Sequence, residues 1–211
     1  MNLPTVPRFD IDAAYAAAQR QTQLTKPPGS LGRLEAISIR LAGMTGRLDW
    51  RPERRAVVVC AGDHGVVAQG VSAYPQAVTA QMVHNFLSGG AAVNVLARQM
   101  KARVLVVNAG VATALPDHLD LVNRPVAAGT ADFTQGPAMT AEQADASLQL
   151  GLDVAADLIN RRLDVLAVGE MGIGNTTAAS AIIAAVTGEP IVKLVGRGTG
   201  LDGDGLKRKL G

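Results

Sequence analysis

The residues best suited to chemistry lie in Gly169-Glu170-Met171-Gly172-Ile173-Gly174-Asn175-Thr176-Thr177, which follows an apolar run and precedes an alanine-rich one. Glycines at this spacing let main-chain N–H groups turn toward one point, and the start of a following helix adds partial positive charge. Gly172, Gly174, Asn175 and Thr176 are therefore a candidate cradle for a phosphate. The spacing fits the GxxxxG of a phosphate loop, but Asn175 stands where the lysine belongs. That disfavours triphosphate hydrolysis and points to a monophosphate. A dinucleotide fingerprint fits less well, since Thr177 occupies the third glycine position and Glu189 is poorly placed as the acidic partner. The plain alternative is a tight turn that only packs helix on strand. Glu170, inside the loop, is unwelcome beside an anion unless it has a task. It can accept a proton, or hold a sugar hydroxyl or a heterocycle N–H; equally, it can brace the loop by accepting backbone N–H bonds.

A second glycine cluster, Gly196-Arg197-Gly198-Thr199-Gly200, reads either as another anion-binding nest served by Lys193 and Arg197 or as a flexible loop. Ser72, Tyr74, Gln81 and Met82 combine an aromatic ring, a soft apolar group and hydrogen-bonding groups, which suits a flat aromatic ligand; ordinary loop and core packing is the alternative. His64, His84 and His118 are too widely spaced for a metal site, so Asp63-His64 reads as a hydrogen-bonding or loop-bracing pair. Cys60, the single cysteine, rules out an internal disulfide and reads as an inert core residue. Arg47, Arg51, Arg54 and Arg55 lack interleaved aromatics and read as a solvated face, as does Lys207-Arg208-Lys209.

These residues need a scaffold. The 211 residues are 48% hydrophobic and 18% charged, enough to bury a core. With 20 basic and 18 acidic residues and 3% aromatics, the chain lacks the charge and the stacking platforms of a nucleic-acid binder. No apolar run is long enough to span a membrane, and the start, MNLPTVPRFD, lacks the pattern of a signal peptide, so a cytoplasmic protein is expected. Residues 10–24 read as a helix capped by Asp10 or Asp12, and a second helix runs to about Gly46. The expected division is a small helical part, 1–50, and a parallel α/β nucleotide-binding domain, 51–211. In the second part residues 56–62, 103–110 and 164–169 read as buried parallel strands, and residues 190–195 as a possible fourth. Helices are expected over 79–100 and 140–162, the latter opened by the capping box Thr140-Ala-Glu-Gln143. The alternation implies a Rossmann-like, doubly wound parallel sheet with a small N-terminal helical appendage, and ligands at the carboxyl ends of its strands.

Taken in order, KPPGSLGRLE (26–35), AGDHGV (61–66), GVSAYPQAVTAQ (70–81), GGAAVNVLA (89–97), GEMGIGNTTA (169–178) and GRGTGLD (196–202) resemble one family closely, across nearly the whole chain. That family is nicotinate-nucleotide–dimethylbenzimidazole phosphoribosyltransferase, the CobT family of cobalamin biosynthesis. The resemblance implies a homodimer that transfers ribose 5-phosphate from nicotinate mononucleotide to 5,6-dimethylbenzimidazole, giving α-ribazole 5′-phosphate and nicotinate, with no metal or organic cofactor. It places phosphate and nucleotide at Gly172, Gly174, Asn175, Thr176, Lys193, Arg197 and Gly198, and the benzimidazole near Ser72, Tyr74, Gln81 and Met82. Glu170 matches a supporting carboxylate. The family's principal glutamate base has no counterpart here, and members continue past Gly211. Little or no turnover by this chain alone is therefore expected. The alternative is a non-catalytic module that binds a nucleoside monophosphate.

Overall fold

A computed structural model describes residues 5–211. The first four residues, where the expected helical part begins, lie outside the described residues. The chain divides between Glu53 and Arg54 into two compact units.

The first unit is a helical hairpin of α1 (Ile11–Gln23) and α2 (Arg33–Thr45). Asp10 caps α1, its carboxylate accepting the Ala13 N–H at 2.8 Å. The Phe9 ring lies against Gly43, where a β-carbon would collide with it. In the connecting KPPGSLG segment Lys26 pairs with Glu35 at 2.6 Å, and the same Glu35 oxygen accepts the Leu31 N–H. Those bonds hold the Glu35 carboxyl below its usual range.

The second unit is a four-stranded parallel sheet flanked by helices. Its strands are β1 (Arg55–Gly62), β2 (Ala102–Gly110), β3 (Leu121–Asn123) and β4 (Val165–Met171), in the order β3-β2-β1-β4. Successive side chains alternate faces. On one face Val59, Ala61 and Val106 pack under α3 (Val78–Leu87), with Val83 fully buried, and α4 (Ala92–Gln99) runs beside it. On the other, Val58, Leu105 and Val107 meet Leu150, Val154 and Leu158 of α5 (Ala141–Asn160). Thr140 and Gln143 form the expected capping box of α5. On this face α5 leaves β4 bare, and Val168 is 80% exposed.

Three expectations need correction. The helix expected over 79–100 is two helices, α3 and α4, broken at Ser88-Gly89-Gly90. Gly89 adopts φ +76°, and the Asn94 side chain ties the joint by donating to the Phe86 carbonyl. Residues 190–195 are not a strand. After α6 (Asn175–Thr187) they form a single turn, α7 (Ile191–Leu194), started by Pro190 and met by the Ser180 hydroxyl, whose one proton is shared between the Thr176 carbonyl at 2.8 Å and the Leu194 carbonyl at 3.1 Å. Cys60 is exposed rather than part of the core, because it lines an open cavity at the end of β1. The chain ends in α8 (Gly203–Leu210), capped by Asp202.

Candidate active site at the ends of β1 and β4

In the order β3-β2-β1-β4 the direction of strand addition reverses between β1 and β4, and in such sheets the crevice at that reversal takes the ligand. A cavity of about 210 Å³ occupies this place. Cys60, Asp63 and His64 line it from β1 and its loop, Glu170 and Met171 from β4, and Asn175 from α6.

Close backbone approaches fix its walls. A β-carbon on Gly172 would strike the Gly62 carbonyl and come within 2.9 Å of His64 Nε2. One on Gly174 would sit 2.8 Å from Val67 and 3.4 Å from the His64 β-carbon. The loops after β1 and β4 are thus pressed together through glycines that have no room for a side chain. Asp63 is buried at 4% exposure. One of its oxygens accepts the Ala112 N–H at 2.8 Å, and the other has no partner among the described residues. Glu170 pairs in register with Cys60, and partial burial raises its carboxyl above the usual value. His64 is pulled the other way: burial outweighs the pull of Asp63 and lowers its pKa, leaving a neutral ring.

The glycine loop runs straight into α6, with Gly174 as an N-cap at φ +89° and no side-chain cap. Ile173 N–H donates to the Thr79 hydroxyl, Asn175 N–H to the Gly172 carbonyl, and Thr177 N–H to the Gly174 carbonyl. Part of the amide set is therefore used inside the turn. The Gly174 and Thr176 amides have no partner among the described residues, which leaves two donors at the positive end of the helix.

A cation does stand at this loop, contributed by α8. Lys209, only 6% exposed, donates to the Thr176 hydroxyl at 2.8 Å and to the Gly196 carbonyl at 3.2 Å. Its burial lowers the ammonium pKa. The solvated face expected of Lys207-Arg208-Lys209 fails here. Residues two apart on a helix point in nearly opposite directions, so Lys207 pairs with Asp204 on the surface while Lys209 turns inward. No sequence signal near the loop announces it, since 33 residues separate Lys209 from Thr176.

The second glycine cluster lies against the first. A β-carbon on Gly198 would fall 3.0 Å from the Thr176 hydroxyl and 3.1 Å from Lys209 Nζ. Thr199 meets the Ser72 hydroxyl at 3.1 Å and accepts the Ala73 N–H at 2.9 Å. Thr176, Gly198 and Ser72 are thereby gathered around Lys209 and Thr199. Arg197 closes its own loop by donating to the Leu201 carbonyl, and Lys193 pairs with Glu189 on the exposed side of α7. Tyr74 and Gln81 are exposed, and Met82 packs against the α3 core; neither they nor Ser72 line the cavity. Among the described residues no group of three or more His, Cys, Asp or Glu could hold a metal ion, and no helix is long and apolar enough to cross a membrane.

Residues 6–211 match the model of a family described as phosphoribosyltransferase. The chain belongs to this family. It is 59% identical over 202 residues to the nicotinate-nucleotide–dimethylbenzimidazole phosphoribosyltransferase of Chloroflexus aurantiacus, covering 96% of this chain and 58% of that protein. The enzyme of the same name from Thermus thermophilus is 53% identical, over 95% of this chain and 60% of that protein. The crystal structure of CobT from Thermus thermophilus superposes with a TM-score of 0.89 at 52% identity, covering 93% of this chain and 60% of that one. This family member thus spans a little under two thirds of the length of the relatives it matches.

Proposed function

We propose that the chain carries the nucleotide-binding part of an enzyme that transfers ribose 5-phosphate from nicotinate mononucleotide to 5,6-dimethylbenzimidazole, giving α-ribazole 5′-phosphate and nicotinate. The observation that carries this reading is one site with two poles. An uncapped helix start with a buried ammonium lies on one side, and on the other a carboxylate with a raised pKa lines a cavity.

Each pole suits one part of the reaction. The Gly174 and Thr176 amides, the Thr176 hydroxyl and Lys209 would hold the 5′-phosphate, with Gly172 and Asn175 shaping the loop and Gly198 closing over Thr176. The cavity, small for a whole nucleotide, suits the sugar and the bond to be broken. The attacking group is a benzimidazole ring nitrogen, whose partner nitrogen must lose a proton. A carboxylate with a raised pKa is fitted to that task, and Glu170 is proposed as the supporting one. Nicotinate leaves from a cationic ring nitrogen and needs no acid. The protein's main contribution would then be to hold two substrates in line.

Ser72, joined to Thr199, and the neighbouring Tyr74, Gln81 and Met82 are proposed for the benzimidazole side, and Arg197 and Lys193 for the outer, nicotinate side. Neither a metal nor an organic cofactor enters the scheme. A cytoplasmic homodimer belongs to the same proposal. Exposed Val168, Ile182 and Val186 on β4 and α6 support an apolar surface for a partner chain.

Calorimetric titration with nicotinate mononucleotide tests the reading, with NAD as the control. Binding of the mononucleotide in preference to NAD is expected, and no binding would overturn it. In a turnover assay with both substrates, measurable product would exclude a non-catalytic module.

A further inference from the structure

His64 is the one ring in the cavity that the scheme above leaves without a task. It is held from both sides. The loop after β4 presses Gly172 against its Nε2–Cδ2 edge. Its backbone bridges to Thr130, while Asp63 N–H donates to the Gly110 carbonyl at 2.9 Å and the Gly65 N–H donates to the Thr130 carbonyl at 3.1 Å. Yet neither ring nitrogen has a hydrogen-bond partner among the described residues. The ring lines the cavity, and its nitrogens are not sealed away inside the protein, so a bound group can pair with them.

The chemistry of the missing partner follows from the charges around it. Burial keeps the ring neutral, so it offers one N–H donor and one bare acceptor nitrogen. Asp63 and Glu170 stand in the same cavity, which makes it a poor place for a phosphate. The phosphate-binding features lie instead at the start of α6 and at Lys209. The group that His64 meets is therefore neutral, and it both donates and accepts. A hydroxyl fits that description.

We infer that His64 is a specificity-determining residue that reads a ribose hydroxyl of the pentose phosphate, through a ring locked in place by Gly172. The inference rests on the reading of the site given above. It makes the cavity selective for ribose over deoxyribose, a distinction that the phosphate cradle cannot make.

The test is calorimetric titration of the full 211-residue chain, unaltered and as His64→Phe and His64→Gln, with nicotinate mononucleotide and its 2′-deoxy and 3′-deoxy analogues. The unaltered chain should favour the ribonucleotide over one of the analogues by about tenfold, the value of one well-made hydrogen bond. His64→Phe should abolish that preference, and His64→Gln should keep part of it. A preference unchanged in His64→Phe, or absent from the unaltered chain, would overturn the inference and leave the phosphate reading standing. No binding of any nucleotide by the unaltered chain would overturn both. Should His64→Phe fail to fold, the ring-nitrogen NMR shifts of the unaltered protein take its place. Those of one histidine must move when nicotinate mononucleotide is added, and shifts that stay fixed would overturn the inference.

Discussion

The two sides of the α6 start are held by opposite means. Toward β1 the contacts are close packing at glycines: Gly172 against the Gly62 carbonyl and Gly174 against the side chains of Val67 and His64, with strands in parallel register beneath. Toward α8 the contacts are side-chain tethers: Lys209 to Thr176 and Gly196, Thr199 to Ser72 and Ala73. The first side fixes distances, because packed backbone has nowhere to move. The second supplies charge and closure through single bonds that one substitution can cut. The proposed reaction, which needs two substrates held in line and a phosphate admitted and released, would draw on both kinds of support.

The comparison breaks most sharply at Lys209. Lys209→Met should weaken nicotinate mononucleotide binding by about 1.5–3 kcal/mol, the worth of a charge-assisted bond, in calorimetric titration. It should leave the urea midpoint unchanged or raise it, since an ammonium whose pKa burial lowers is held against its preference. On the rigid side the order reverses. Gly172→Ala should cost about 1–3 kcal/mol of stability in urea unfolding, because the new methyl group meets a backbone carbonyl that cannot yield. Thr199→Val tests the tethers with a smaller effect, about 0.5–1 kcal/mol, and should speed proteolysis within residues 196–200.

The smallest effect is that of Glu170→Gln. The folded carboxyl titrates above its ordinary 4.5, so its stabilising contribution is complete below that value and declines as pH rises through the raised one. The Gln variant lacks this decline. Its melting temperature should gain on the unaltered chain as pH rises above about 4.5, by less than about 2 °C because the residue is exposed.

What the sequence makes legible follows from how local each signal is. The β-branched runs that become β1, β2 and β4 carry their own signature, as does the Thr140–Gln143 capping box. β3 is only three residues long and exists through its pairing with Val106, Val107 and Asn108 of β2, so no run announces it. The apolar Ile191-Val192-Lys193-Leu194 is short enough to suit either strand or helix. Pro190 and the Ser180 hydroxyl on a neighbouring helix decide in favour of a turn of helix. In the site, Glu170 and the glycine loop are visible because strand, loop and helix follow one another directly. Lys209 is hidden because its role depends on which face of α8 meets Gly196, which composition does not encode. Cys60 misleads for the same reason: its neighbours in sequence are core residues, but it lines the open cavity instead.

The ammonium of Lys209 reaches the loop across 33 residues, through α7, the second glycine cluster and α8. That stretch therefore works as a ruler. Inserting or deleting even two residues between Thr187 and Gly203 would keep Thr176 and Lys209 in the chain, yet deliver the positive charge to the wrong address.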